Sequence, residues 1–351
     1  MRTSGPLRWA LTALAVLGLA TTGCGPKLDS DGSGLDVPPA DTEASGSVAV
    51  SGSSTVEPIS ALVAEEFMAQ NGDVAITVDG PGTGDGFELF CAGDVDVADA
   101  SRPIKAEEVR ACEAAGIDFI ELPVGVDGLS VVTSASNPIA CLNMLDLYAL
   151  TGPESEGIET WDEAEVLARE LGSDTDLPSS HLIVTAPGPE SGTFDSFVEL
   201  VLDPITEQRV EAGVLDEALV GTARADYAAQ PDDNAILTTV AADPGGLAWA
   251  GFAFVDQAED VHPVPIAVEP GDECVAPTVD TIQDGTYPIG RTLFIYVNAA
   301  EAERNDGLRA FVNFYLGGLD TFVTTSDYVP LADPDLTRQR WEQRTTGSAE
   351  T

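Results

Sequence analysis

Basic residues are scarce in this chain. Fifteen lysines and arginines stand against 60 aspartates and glutamates, giving a net charge of −45, and Lys27 and Lys105 are its only lysines. That balance excludes a nucleic-acid partner, because a phosphate backbone demands a basic footprint. Histidine is scarcer: only His181 and His262 are present. Both read as surface or loop positions, and they leave little for imidazole catalysis. The five cysteines include no Cys-x-x-Cys spacing, so no metal site is expected. A secreted phosphatase-type hydrolase would need a metal cluster or an activated nucleophile, and neither is evident. Beyond the first segment no apolar run is long enough to span a membrane. The acidity fits a salt-adapted surface, where screening weakens self-repulsion. A codon bias toward Asp and Arg would give the same composition.

The N-terminus reads as a secretion signal. Arg2 and Arg8 are followed by an apolar stretch of 12 residues, 9–20, too short for a comfortable bilayer span. Thr21-Thr22-Gly23-Cys24 comes next. Small residues before a cysteine resemble the lipobox of bacterial lipoproteins, although Thr21 stands where leucine is usual. The resemblance implies a signal peptide over 1–23 and a lipid on Cys24. Residues 24–46 are rich in Asp, Ser, Gly and Pro and read as a flexible polar tether. Within it, Asp29-Ser30-Asp31-Gly32 lacks the distal glutamate of a calcium loop and reads as linker. The remaining four cysteines, Cys91, Cys112, Cys141 and Cys274, suggest two disulfides with three possible connectivities.

Three segments carry the chemistry. Ser51-Gly52-Ser53-Ser54-Thr55 joins a strand at 47–50 to an apolar-striped helix at 58–67. A strand-to-helix junction offers free N–H groups and small hydroxyls at the positive end of a helix dipole, which is an anion site. Gly80-Pro81-Gly82-Thr83-Gly84-Asp85-Gly86-Phe87 and Ser191-Gly192-Thr193-Phe194 repeat the device. With few cations nearby, the expected ligand is an anion held by neutral dipoles. The plain alternatives are an N-cap cluster and ordinary turn glycines. Strand and helix patterns alternate from residue 47 onward, which predicts an α/β fold with mainly parallel sheets. Separate strands are expected at 119–124 and 129–133, helices at 87–92 and 191–202, and a strand at 247–255.

These motifs have a family resemblance. Val50-Ser51-Gly52-Ser53-Ser54-Thr55-Val56-Glu57-Pro58, Val97-Ala98-Asp99-Ala100-Ser101-Arg102-Pro103-Ile104 and Glu190-Ser191-Gly192-Thr193-Phe194-Asp195 occur in order, with Asp232-Asp233-Asn234 and Tyr287-Pro288-Ile289-Gly290-Arg291. The chain resembles the PstS-type phosphate-binding lipoproteins of bacterial phosphate ABC transporters over roughly residues 47–345. It fits the branch in which a Ser-Arg-Pro-Ile run replaces the commoner Ser-Asp run. The resemblance implies a two-lobed, type II periplasmic-binding-protein fold with two hinge crossings, near 122–124 and 287–294. Lobe one would be 47–128 plus 288–346, and lobe two 129–287. Cys91 would then pair with Cys112 and Cys141 with Cys274, each within one lobe. The implied protein is a receptor, not an enzyme, and is monomeric and without a cofactor. It would bind inorganic phosphate and deliver it to an ABC permease from a lipid anchor on the extracytoplasmic face. Sulfate and arsenate are the alternative ligands.

The resemblance also implies the ligand set. Ser54, Thr55 and Val56 would donate from the first turn, with backbone N–H groups at Thr55 and Val56. Thr83 would donate from the second turn, and Ser191, Gly192 and Thr193 from the third. Two positions depart from the best-known members. The carboxylate two residues before the proline is here Ser101, with Arg102 beside it. The arginine four residues before Ser-Gly-Thr is here Pro187, so the site cation is expected at Arg102. Asp99 or Asp85 would then accept the proton of hydrogen phosphate.

Overall fold

A computed structural model describes residues 35–189 and 191–347. Cys24 and residues 1–23 lie outside the described residues. Eleven strands are present among the described residues: β1 Gly46–Gly52, β2 Val74–Asp79, β3 Val97–Ala100, β4 Phe119–Ser134, β5 Leu142–Asn143, β6 Ile183–Ala186, β7 Ala228–Ala229, β8 Gly246–Gly251, β9 Val261–Pro263, β10 Ile266–Ala267 and β11 Gly290–Asn298. Nine of them form one sheet in the order β2-β1-β3-β11-β4-β8-β6-β7, with β9 also on β4, while β10 and β5 pair separately. β1 is parallel to β2 and β3, and β6 is parallel to β7 and β8. The long pair β4 and β11 is antiparallel and lies between these two parallel groups.

β4 is where the sheet changes from one half to the other. Its residues 119–128 pair with β11, and from Leu129 it pairs with β8. Gly128 sits at the change of partner, where a Cβ would meet Ile282 Cδ1 at 2.8 Å. The residues 119–124 and 129–133, expected as two strands, are therefore one strand of 16 residues. Gly125-Val126-Asp127-Gly128 reads as a turn because of its glycines, yet all four residues are buried in the ladder.

Helices cover both faces of each half, as parallel sheets require. One core packs Phe67, Phe311, Phe314 and Phe322 under β1 and β4, and a second packs Phe87, Phe90 and Tyr296 on the opposite face. In the other half Trp161, Trp249 and Phe197 fill one face, and Ile236, Leu237 and Val240 the other. Among the described residues no helix is long and apolar enough to cross a membrane.

The described part of the expected tether is not loose. Val37, Ala40 and Ala44 pack on the first of these cores. Asn71 Nδ2 donates to the carbonyls of Asp41 and Ala44 at 2.5 and 3.0 Å, and Ala40 N donates to Gln70. The composition hid three apolar anchors and the amide that receives them.

Cys91 is bonded to Cys112 and Cys141 to Cys274, 21 and 133 residues apart. Each bond stays within its own half, Cys91–Cys112 beside β3 and β11 and Cys141–Cys274 beside β5 and β10. In the chain-entropy account a longer closed loop restrains the unfolded chain more. Replacing both cysteines of Cys141–Cys274 by alanine should cost about 1.5 kcal/mol more than doing so at Cys91–Cys112. Equal losses in urea denaturation would contradict this.

Candidate functional site

The first turn is shaped by contact with β3. Ser53 N donates to Asp99 O at 2.9 Å, and Gly82 N to Gly52 O at 2.8 Å. Gly52 has φ +149°, and a Cβ there would lie 2.1 Å from Asp99 O; only glycine allows that approach. Gly86, in the helix Thr83–Ala92, stacks on Gly52, where a Cβ would meet its Cα at 2.4 Å. The first two glycine turns are thus packed backbone to backbone, which fixes the positions of Thr55 and Thr83.

The third turn comes from the other half. Ser191 caps the helix Gly192–Phe197, its Oγ accepting Thr193 N at 3.2 Å. Phe197 holds this helix on β8 by stacking on Trp249 with centroids 4.1 Å apart. The helix then passes into a π-helical turn, Val198–Leu202, and continues as Asp203–Glu211. Such turns recur at functional sites. Here it carries Glu199 to the cleft.

These segments meet. Gly192 lies against Ser54 and Thr55, close enough that a Cβ would touch Ser54 O at 3.5 Å. Ser54 Oγ donates to Asp195 Oδ2 at 3.0 Å. Thr55 Oγ1 and Ser196 Oγ are 3.3 Å apart. Between them sits Arg291, whose Nη2 donates to Ser196 Oγ at 2.6 Å and Thr55 Oγ1 at 3.1 Å. Its Nε lies 3.5 Å from Asp127 Oδ2, and its Nη1 donates to Glu199. Asp127 and Arg291 face each other across β4 and β11. Burial pushes the Asp127 carboxyl above its ordinary range, and the Arg291 guanidinium opposes that shift. Burial likewise raises Asp195, against the Ser54 hydrogen bond.

Beside this junction opens a cleft of about 650 Å³ lined by Thr83, Ser101 and Arg102 on one wall, Glu199 and Asp203 on the other, and Arg291 at the back. Thr83 and Ser101 come together as a pair: their hydroxyls are 3.0 Å apart, and Ser101 N donates to Thr83 Oγ1 at 3.2 Å.

Several expected roles change in this geometry. The N–H groups of Thr55 and Val56 turn back on Ser53, to its Oγ at 3.2 Å and its O at 3.1 Å. The Thr55 hydroxyl is therefore that turn's contribution to the junction. Arg102 lines the cleft but forks onto Glu108 at 2.7 and 2.9 Å, and its guanidinium lies over Phe87 at 5.5 Å. The cation joined to the Thr55 hydroxyl is Arg291, not Arg102. Asp99 is fully buried, with Oδ1 accepting Ser60 Oγ at 3.0 Å. Asp85 is exposed on the first turn of its helix. Neither lines the cleft; the carboxylates at the junction are Asp195, Asp127 and Glu199. Arg291, Ser196 and Asp127 are site residues to which the sequence motifs assign no ligand role. The sequence signal for Arg291 is its place at the end of Tyr287-Pro288-Ile289-Gly290-Arg291, in a chain with few cations. Its cross-strand partner Asp127 sat in a segment read as a turn.

Comparisons with known proteins agree with this architecture. The PBP superfamily domain matches residues 37–318. The chain is 37% identical over 305 residues to protein SphX of Synechococcus elongatus, covering 86% of this chain and 83% of that one. It is 30% identical to the phosphate-binding protein PstS of Staphylococcus saprophyticus, covering 84% and 83%. Among solved structures it resembles a possible phosphate-binding protein from Planctomyces limnophilus, with TM-score 0.74, 32% identity, and coverage of 86% and 99%. With its two-lobed α/β fold and its turns meeting at one junction, the chain belongs to the PBP superfamily and, within it, to the family of PstS-type phosphate-binding proteins.

Proposed function

We propose that this protein is an extracytoplasmic receptor, not an enzyme, that binds inorganic phosphate between its two lobes and delivers it to an ABC importer. The observation that carries this reading is the convergence of Thr55, Ser196 and Arg291, two hydroxyls and a cation from three distant segments, beside the cleft. A dehydrated oxyanion needs many short donors, and a guanidinium supplies charge-assisted ones. The relatives named as phosphate-binding proteins point the same way.

In this reading lobe one is 47–128 plus 288–346 and lobe two is 129–287; the change of partner along β4 supports the division. Thr55, Thr83, Ser101, Ser191, Gly192, Thr193, Ser196 and Arg291 form the ligand set. A lipid on Cys24 holds a monomer at the outer face of the membrane, beside its permease. Asp195 takes the role of proton acceptor. Hydrogen phosphate can donate to a carboxylate, whereas sulfate can only be repelled by one.

Calorimetric titration tests this. Phosphate should bind more tightly than sulfate, and Asp195→Asn should narrow that preference about tenfold. A protein that binds neither anion would overturn the receptor reading. An unchanged preference would remove only Asp195 from its role.

A further inference from the structure

Arg291 has two carboxylate partners that differ in kind. Asp127 is part of the hinge ladder, with its side chain only 4% exposed. It holds the guanidinium from behind and cannot leave without moving β4. Glu199 comes from the opposite lobe on the π-helical turn, with its side chain 53% exposed at the cleft wall. It reaches Nη1 of Arg291 from the open side of the site. A carboxylate and a tetrahedral oxyanion use the same edge of a guanidinium, so the two cannot share it.

We infer that Glu199 is a built-in competitor: an internal anion that occupies Arg291 in the empty site and must be displaced by the incoming ligand. This rests on the phosphate reading above. Glu199 is displaceable because its own side chain is half exposed, so water takes over the freed carboxylate. Its origin in the other lobe means that the same contact bridges the lobes before ligand arrives. Binding therefore exchanges one bridging anion for another, and the affinity measured is a difference between the two. The device sets how much free phosphate is needed to fill the site, and it rejects anions too weakly charged to displace a carboxylate.

The experiment is titration of phosphate-depleted full-length protein with inorganic phosphate, comparing wild type, Glu199→Gln and Glu207→Gln. Glu207 is an exposed carboxylate of the same cleft wall, farther along the same helical run. Removing an interaction present only in the free protein should tighten binding roughly three- to thirtyfold in Glu199→Gln. Glu207→Gln should change affinity less than about twofold. Weaker binding in Glu199→Gln would mean that Glu199 positions Arg291 in the bound state, and would overturn the inference. Equal tightening in both variants would reduce the effect to net charge and overturn it as well. Absence of phosphate binding in the wild type would instead sink the receptor reading on which the inference stands.

Discussion

Arg291→Ala should weaken phosphate binding by roughly two to three orders of magnitude and destabilise the fold by about 3–5 kcal/mol. Both effects have one cause. The Arg291 side chain is only 10% exposed, and its guanidinium joins Thr55, which follows β1, to Ser196, which follows β6 in the other half of the sheet. Removing it deletes a charged donor and leaves Asp127, buried across the ladder, without its cation. An uncompensated buried charge costs far more than the pair itself is worth. The two effects can be separated. Arg291→Met combined with Asp127→Leu removes both charges at similar volume, so it should recover most of the stability and none of the binding. A double variant that still bound phosphate would show that the hydroxyl turns suffice and that Arg291 is structural only.

Asp99→Asn should remove a loss of stability that the wild type suffers as pH rises. Burial pushes the Asp99 carboxyl from an ordinary 3.8 up to about 8, against the opposing Ser60 hydrogen bond. An acid raised in this way stabilises the fold fully only below its unfolded value, where both states are protonated. As pH climbs from about 4 to about 8 the unfolded chain releases the proton while the fold retains it, and that contribution is lost. A carboxyl displaced this far from its ordinary value accounts for something on the order of 5 kcal/mol. An amide resembles the neutral carboxyl and cannot ionise. The variant should therefore match wild type near pH 4 and exceed it increasingly toward pH 8 in thermal denaturation. Curves that stay parallel from pH 4 to 8 would contradict the burial argument. Because Asp99 lies in the core and not along the cleft, its replacement should leave the preference for phosphate over sulfate unchanged.

Local features of this fold were legible where short-range physics decides them. The three strand-to-helix turns announced themselves through small residues followed by helical periodicity, and even cysteine usage announced two disulfides. What hid the rest was tertiary. Gly125 and Gly128 look like a turn, but Gly125 packs against Val323 and Gly128 against Ile282, where an added Cβ would crowd the neighbouring side chain at 3.0 and 2.8 Å. Residues 247–255 are apolar throughout apart from Gly251, so pattern alone could not show that β8 stops at Gly251 and a short helix, Phe252–Val255, follows. The helix from Gly192 continues past 202 to Glu211 through a π-helical turn that has no local signature. Arg291 and Asp127 are far apart in the chain and become neighbours only through the β4–β11 register. The expectation of Arg102 as site cation followed proximity in sequence. Glu108, one helical turn into the next element, binds it instead.

The most direct measurement is a crystal structure of the protein with phosphate bound. The ion is expected between the lobes, within hydrogen-bonding distance of Arg291 and of the hydroxyls of Thr55, Thr83, Ser191 and Thr193, with Glu199 swung away from the guanidinium. A phosphate found outside this junction, with Arg291 still paired to Glu199, would contradict the proposed site.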